Sequence, residues 1–121
     1  MAKKILVVDD DELVVIAIRE LLTPLGFSVT TSAGGAEALK VAADDSFDLI
    51  ILDVLMPEMD GFEVCQRLRQ IDSYRETPIM MLTAKSGELD KQRGTEVGAN
   101  LYLPKPISPK RLISLVEEAT K

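Results

Sequence analysis

The chain contains no histidine and only one cysteine among its 121 residues. The lack of histidine excludes histidine acid–base catalysis, histidine metal ligands and a phosphohistidine carried by this chain. Cys65 has no second cysteine with which to form an internal disulfide, so nothing in the sequence indicates an oxidising compartment. Any histidine chemistry in which this chain takes part must come from another molecule.

Long apolar runs are also missing. No stretch is long enough to span a bilayer, and the apolar run after Lys4 stops at Asp9, which is unlike a secretory signal. The formal net charge is −6 and the pI is about 4.6, so the surface would repel nucleic-acid phosphates and anionic membranes. We therefore expect a cytoplasmic protein with no direct nucleic-acid or membrane binding.

Short apolar runs alternate with longer amphipathic ones, with no internal repeat and no linker between them. Hydrophobic residues make up 46% of the chain and charged residues 28%, which is typical of one globular domain at this length. The first predicted helix carries apolar residues at helical spacing, namely Val14, Ala17, Leu21 and Leu25. The predicted strands cover 3–9, 27–33, 47–53, 77–84 and 101–104, and the predicted helices cover 12–26, 35–45, 61–72, 87–99 and 108–121.

This strand–helix unit, repeated five times, predicts an α/β fold. Continuous apolar strands that alternate with helices favour a doubly wound parallel sheet covered on both faces. In such sheets, ligands bind beyond the carboxyl ends of the strands, where the strand order reverses. The residues that follow each strand are therefore the candidate functional residues.

The strand "FDLIILD" ends in a carboxylate, Asp53, which is unusual for a strand in a core. A buried carboxylate without a partner is costly, so Asp53 either faces water at the strand end or is aimed at a ligand. Three more aspartates, Asp9 to Asp11, follow the first strand. Because the carboxyl ends of parallel strands share one sheet edge, three carboxylates are expected to converge there with Thr83 and Lys105, whereas Asp11 is expected to cap the following helix or to lie in its first turn. Packed carboxylates repel one another and need a cation, and an oxygen-rich site of this kind suits Mg²⁺.

The segments "ILVVDDDE", "IILDVLMPEMDG", "IMMLTA" and "LYLPKPI" resemble the receiver domains of two-component response regulators. The resemblance covers essentially the whole chain, with all motifs in order. It implies a flavodoxin-like fold with strand order 2-1-3-4-5 and a receiver domain over residues 1–121. No output domain is visible, which is typical of stand-alone receivers or of one domain cut from a longer protein.

The resemblance also implies a role for each residue of the site. Asp53 matches the phosphoacceptor, and Lys105 matches the ammonium that pairs with the phosphoryl group. The implied Mg²⁺ ligands are Asp10, Asp53, the backbone carbonyl of Leu55 and, through water, Asp9. The remaining implied roles are the switch residues Thr83 and Tyr102, a phosphoryl contact from the Ala84 amide, and a cis bond between Lys105 and Pro106.

By this resemblance, the chain is a phosphorylation-dependent switch rather than an enzyme acting on other substrates. The implied donor is a phosphohistidine on a histidine kinase or a histidine phosphotransfer protein, and the implied partner surface lies within residues 85–121. The downstream target is not readable from the sequence. Two alternatives remain: a haloacid-dehalogenase-like phosphatase that uses Asp9-x-Asp11, and a receiver-like binding module that never takes phosphate.

Overall fold

The computed structural model, which describes residues 2–121, is a five-stranded parallel sheet flanked by five α-helices. The strand order is β2-β1-β3-β4-β5, as predicted. The strands are β1 (Lys4–Val8), β2 (Ser28–Ser32), β3 (Leu49–Leu52), β4 (Ile79–Thr83) and β5 (Leu101–Pro104). The helices are α1 (Glu12–Leu22), α2 (Gly35–Asp44), α3 (Gly61–Arg69), α4 (Glu88–Glu96) and α5 (Pro109–Ala119).

The apolar side chains of the central strands alternate between two hydrophobic layers. Leu6, Ile50 and Met81 belong to the layer beneath α2 and α3, whereas Ile5, Ile51 and Met80 belong to the layer that α1 and α5 cover. Every residue of β3 is buried, because this strand lies between β1 and β4 and has a helical layer on each side. Because the central strands are packed on both faces, the residues at their carboxyl ends are held in fixed positions.

Helix α1 is shorter than predicted. It begins after Asp11, whose carboxylate caps the helix by accepting the Leu13 N–H at 3.0 Å, and it ends at Leu22 rather than at Gly26. Pro24 explains the early end, because a proline ring clashes with the carbonyl four residues before it. The chain then forms a 3-10 turn over Thr23–Leu25 and leaves it through Gly26, with φ of 97°.

The buried side of α1 also differs from the predicted set. Ile18 and Leu22 are its fully buried residues, whereas Ala17 and Leu25 are exposed. Val14 and Leu21 are partly buried and pack against the same layer. The helical spacing of the apolar residues correctly predicted a helix. It did not predict which side of α1 faces the sheet, because apolar residues lie on more than one side of this helix.

Helix α3 likewise ends at Arg69, and a separate 3-10 turn follows over Asp72–Tyr74, which the prediction of one helix over 61–72 missed. Helix α5 is capped by Ser108, whose hydroxyl accepts the Arg111 N–H at 3.1 Å, and Pro109 is its first residue. Over residues 2–121, no helix combines the length and apolar character that crossing a bilayer requires.

Candidate functional site

Asp9 and Asp53 leave the sheet side by side. Strands β1 and β3 are neighbours, and Val8 is paired with Leu52 in their register, so the next residue of each strand is an aspartate. The Asp53 N–H donates to the Val8 carbonyl at 2.9 Å, which extends the ladder to the site. Strand register, rather than loop conformation, therefore brings the two carboxylates together.

Three carboxylates form a cluster at this edge. Asp9, Asp10 and Asp53 each offer an oxygen, and these oxygens all lie within 4.8 Å of one another. Asp9 is 3% exposed and Asp53 is 5% exposed, whereas Asp10 faces solvent. The fourth aspartate, Asp11, is used elsewhere, because it caps α1. Both expectations are thus confirmed, since three carboxylates converge at this edge and Asp11 caps α1.

Lys105 is the cation that contacts this cluster. Its Nζ atom lies 2.7 Å from Asp9 Oδ2 and 3.2 Å from Asp53 Oδ2. Strand β5 carries the lysine to the site, and the Lys105 N–H donates to the Thr83 carbonyl at 2.9 Å. The predicted cis bond between Lys105 and Pro106 is also present.

Burial and charge act in opposite directions in this ion pair. Burial raises the pKa of Asp9, and the nearby charge of Asp53 raises it further, although hydrogen bonds from Lys105 and the Asp11 amide lower it. Burial lowers the pKa of Lys105, but the hydrogen bond to Asp9 and the charge of Asp53 outweigh burial, so this pKa is raised. One ammonium facing three carboxylates leaves excess negative charge. The chemistry of this donor set fits Mg²⁺, which binds to carboxylates while keeping several waters.

The remaining predicted residues surround the cluster. The Leu55 N–H donates to Asp53 Oδ1 at 3.2 Å, and the Leu55 side chain is half exposed. Thr83 is fully buried at the end of β4, and its hydroxyl accepts the Lys85 N–H at 3.2 Å. Ala84 is exposed beside it. The metal role of the Leu55 carbonyl and the phosphoryl contact of the Ala84 amide stay predictions.

Tyr102 lies on the α4 side of the sheet. Its hydroxyl donates to the Lys85 carbonyl, and its ring is stacked with Phe62, with 6.4 Å between the ring centroids and 12° between the planes. Burial raises the pKa of the Tyr102 phenol to about 12, and the charges of Asp90 and Asp53 add to this effect. Tyr102 is thus linked through Lys85 to the segment that follows Thr83.

The sequence interpretation missed the reason for Gly61. A glycine in a loop usually indicates a turn with positive φ, but the residue with positive φ in this loop is Glu58, at 69°. A Cβ atom on Gly61 would lie 2.2 Å from the Asp53 carbonyl oxygen and 2.7 Å from Val54 Cα. Gly61 therefore allows the loop to pass directly against the backbone of Asp53, and no sequence pattern reveals such a close approach.

Comparisons with known proteins agree with this geometry. A sequence model of the response regulator receiver domain matches residues 5–117. The alkaline phosphatase synthesis transcriptional regulatory protein PhoP of Bacillus subtilis is 48% identical over 117 residues, which cover 97% of this chain and 48% of PhoP. The transcriptional regulatory protein CpxR of Escherichia coli K12 is 43% identical over 113 residues, or 93% of this chain and 47% of CpxR.

A similar solved structure is that of the chemotaxis protein CheY4 of Vibrio cholerae. It superposes with a TM-score of 0.94 at 39% identity and covers 98% of this chain and 99% of that chain. In contrast, the chain spans about half the length of curated relatives such as PhoP and CpxR. Since the family match extends over nearly all of the described residues, the chain belongs to the receiver domains of two-component response regulators.

Proposed function

We propose that Asp53 accepts a phosphoryl group from a phosphohistidine carried by a histidine kinase or a histidine phosphotransfer protein. Phosphoryl-accepting signalling is the general function of receiver domains, and the family implies interaction with histidine kinases. The observation that carries the assignment to Asp53 is its place at the carboxyl edge, buried beside Asp9 and 3.2 Å from the Lys105 ammonium. A carboxylate in that position is oriented by the fold and is not free to rotate into solvent.

The proposed reaction is a phosphoryl transfer between two side chains. A carboxylate oxygen of Asp53 forms a bond to phosphorus as the bond between phosphorus and the donor nitrogen breaks. Lys105 stabilises the negative charge of the phosphoryl oxygens in the transition state. Positioning of the reacting groups and stabilisation of this charge are most of what phosphoryl transfer requires. Asp10, Asp53, the Leu55 carbonyl and, through water, Asp9 would hold Mg²⁺, which supplies further neutralisation of these oxygens when bound.

The proposed response follows from contacts at Thr83 and Tyr102. An aspartyl phosphate adds charge and acceptor oxygens, to which the Thr83 hydroxyl and the Ala84 amide can donate. Donation to the phosphoryl group moves Thr83 relative to the Lys85 N–H, and Lys85 also accepts the Tyr102 hydroxyl. A local contact of this kind can bias an element between two positions. The affected surface lies within residues 85–121.

Two exposed leucines support a partner surface on that face. Leu89 at the start of α4 is 80% exposed, and Leu101 at the start of β5 is 36% exposed. We propose that a protein target binds this surface. Receiver domains are signalling domains rather than classical enzymes, so the proposed catalysis is limited to the phosphorylation and dephosphorylation of this chain. We further propose that residues 1–121 form one receiver domain without direct nucleic-acid or membrane contacts.

The phosphatase alternative is not favoured by the geometry. That alternative uses the Asp9-x-Asp11 pair with Asp9 as the nucleophile, but the Asp11 carboxylate accepts the Leu13 N–H as the cap of α1. Asp9 is buried against Lys105. Asp11 is therefore committed to the helix and not to the reacting group.

The first experiment is intact-mass spectrometry after incubation with acetyl phosphate and Mg²⁺. We expect the wild type to gain one phosphoryl group, and we expect no gain for Asp53→Asn or for wild type with a metal chelator. Asp60→Asn is a matched control, because Asp60 caps α3 and lies outside the carboxylate cluster. It should be labelled like the wild type.

Labelling of Asp53→Asn at the wild-type level would place the acceptor at another residue. A wild type that stays unlabelled should next be incubated with a phosphorylated histidine kinase. Failure with both donors, together with no binding of Mg²⁺ by calorimetry, would favour the binding module that never takes phosphate.

A further inference from the structure

Helix α4 is held to the sheet in an unusual way. It buries one of its residues, Gly94, and its sequence carries no apolar stripe facing the core. Glycine inside a helix is destabilising relative to alanine, because it loses more backbone freedom on folding. A buried glycine in the middle of this helix therefore needs a packing explanation.

The explanation is the ring of Tyr102. A Cβ atom on Gly94 would lie 2.6 Å from Tyr102 Cδ2 and 3.1 Å from Cε2, and it would lie 3.3 Å from Met81 Sδ. Carbon atoms do not approach one another to 2.6 Å without a shift of one of them. The ring thus occupies the volume that any other side chain at position 94 would fill.

The ring cannot yield by moving deeper into the protein. Phe62, which is 1% exposed, stacks against it, and the Arg93 guanidinium lies 4.5 Å from the centre of the Phe62 ring. The Tyr102 hydroxyl donates a hydrogen bond to the Lys85 carbonyl. A methyl group on Gly94 would therefore displace the Tyr102 ring toward solvent and break the hydrogen bond between the Tyr102 hydroxyl and the Lys85 carbonyl.

We propose that Gly94 is a positioning residue. It leaves room for the inward position of the Tyr102 ring, against Phe62 and Met81, and thereby sets the fraction of molecules in which this ring lies inward. This inference rests on the proposed role of Tyr102 as the switch. It adds that Gly94, a residue without a side chain on the neighbouring helix, controls the position of the Tyr102 ring. Gly94 does so without contact to Asp53 or to the other proposed Mg²⁺ ligands.

The test is made on the unphosphorylated protein, so that its result is separate from that of the labelling experiment. The two tyrosines are labelled with ¹³C in the ring, and Tyr102→Phe identifies the Tyr102 signal. We expect Gly94→Ala to shift this signal and to increase its broadening by a soluble paramagnetic agent severalfold. The signal of Tyr74, which is 1% exposed, should not change.

Gly87→Ala is the matched control at the start of the same helix, where a Cβ atom would meet only the Asp90 carboxylate, at 3.1 Å. It should leave the Tyr102 signal in place. An unchanged Tyr102 signal in folded Gly94→Ala, or an equal shift in Gly87→Ala, would overturn the proposal.

A stability measurement covers the case in which Gly94→Ala folds poorly. In the wild-type background the substitution should lower the urea midpoint, because the methyl group collides with the ring. In the Tyr102→Ala background it should raise the midpoint, because alanine favours a helix over glycine and the flexible Met81 thioether can yield. A loss of the same size in both backgrounds would show that Tyr102 is not the reason for Gly94.

Discussion

Gly61 lies where the loop after β3 meets the start of α3 and touches the backbone of Asp53. We expect Gly61→Ala to destabilise the fold by about 2 kcal/mol or more, because its methyl group would meet backbone atoms that cannot rotate away. The shift needed to relieve the contact would also move Asp53, so labelling by acetyl phosphate should slow. Urea unfolding and intact-mass kinetics measure the two effects.

Gly34→Ala is the control for this substitution. Gly34 caps α2 with extended backbone, and a Cβ atom there would meet nothing within 4 Å. It should lower stability by no more than about 1 kcal/mol, because alanine is a poorer N-cap than glycine, and leave labelling unaffected. Similar losses in Gly34→Ala and Gly61→Ala would mean that the contact with Asp53 is not the cause.

The residues of the site differed in how far the sequence revealed them. Asp9, Asp53 and Lys105 follow apolar strands, so their shared edge could be predicted from the alternation of strands and helices. Outside the site, the role of Arg69 could not be predicted, although its guanidinium donates to the carbonyls of Gly98, Tyr74 and Thr77 and to the side chain of Asn100. An arginine near a helix end has the same local pattern whether it faces water or joins two loops, because Gly98 and Asn100 lie 29 and 31 positions away.

Among the helices, α3 and α4 have the same length of nine residues but very different burial. Helix α3 buries five residues, whereas α4 buries Gly94. Local opening is easier where few apolar contacts must be broken. We therefore expect the amides of α4 to exchange with solvent at least about tenfold faster than those of α3, since ~1.4 kcal/mol of opening free energy corresponds to one factor of ten.

Hydrogen exchange followed by NMR at neutral pH measures this difference residue by residue. Equal protection of the two helices would show that the contacts of Tyr102 and Arg93 hold α4 as firmly as an apolar face holds α3. The comparison is internal to one sample, so overall stability does not affect it.

Element type and order could be read from the sequence, and the sheet order was confirmed. The ends of α1 and α3 were wrong, because both helices pass into 3-10 turns whose residues continue the helical spacing of apolar side chains. The short turn over Asp72–Tyr74 is fixed by a distant contact, since the Tyr74 hydroxyl donates to the carbonyls of Ala42 and Asp45 at the end of α2. Local sequence does not contain that information.

At the scale of the whole molecule, cation binding should be linked to folding. Asp10 is exposed and belongs to the carboxylate cluster, but it has no role in the Lys105 ion pairs. Asp10→Asn should weaken Mg²⁺ binding by about tenfold or more. Without metal, the variant should be at least as stable as the wild type, because repulsion within the cluster is reduced.

Thermal unfolding with and without Mg²⁺ tests both statements. Binding to the folded state alone should raise the midpoint of the wild type, and the rise should be smaller for Asp10→Asn at the same Mg²⁺ concentration. A lower midpoint of Asp10→Asn in a chelator would show that Asp10 supports the fold rather than straining it.

Alkaline pH should also destabilise the molecule through Tyr102. The pKa of its phenol is about 12 in the folded protein against 10.0 for the free group, so the folded state holds this proton more tightly. The resulting stabilisation is complete below pH 10 and is lost as the pH rises toward 12. Urea unfolding at pH 9, 10 and 11 should show a steeper loss for wild type than for Tyr102→Phe. Parallel losses would place Tyr102 in solvent.

The ion pair between Lys105 and Asp9 joins residues that are 96 positions apart, and the pair with Asp53 spans 52 positions. A chain leaving the ribosome exposes all three aspartates long before its lysine is synthesised. Under the proposed function, a partly made chain would thus hold the acceptor without the ammonium that completes the site. Competence to receive a signal would then arise only when β5 joins the sheet, so that incomplete chains would draw few phosphoryl groups away from finished molecules.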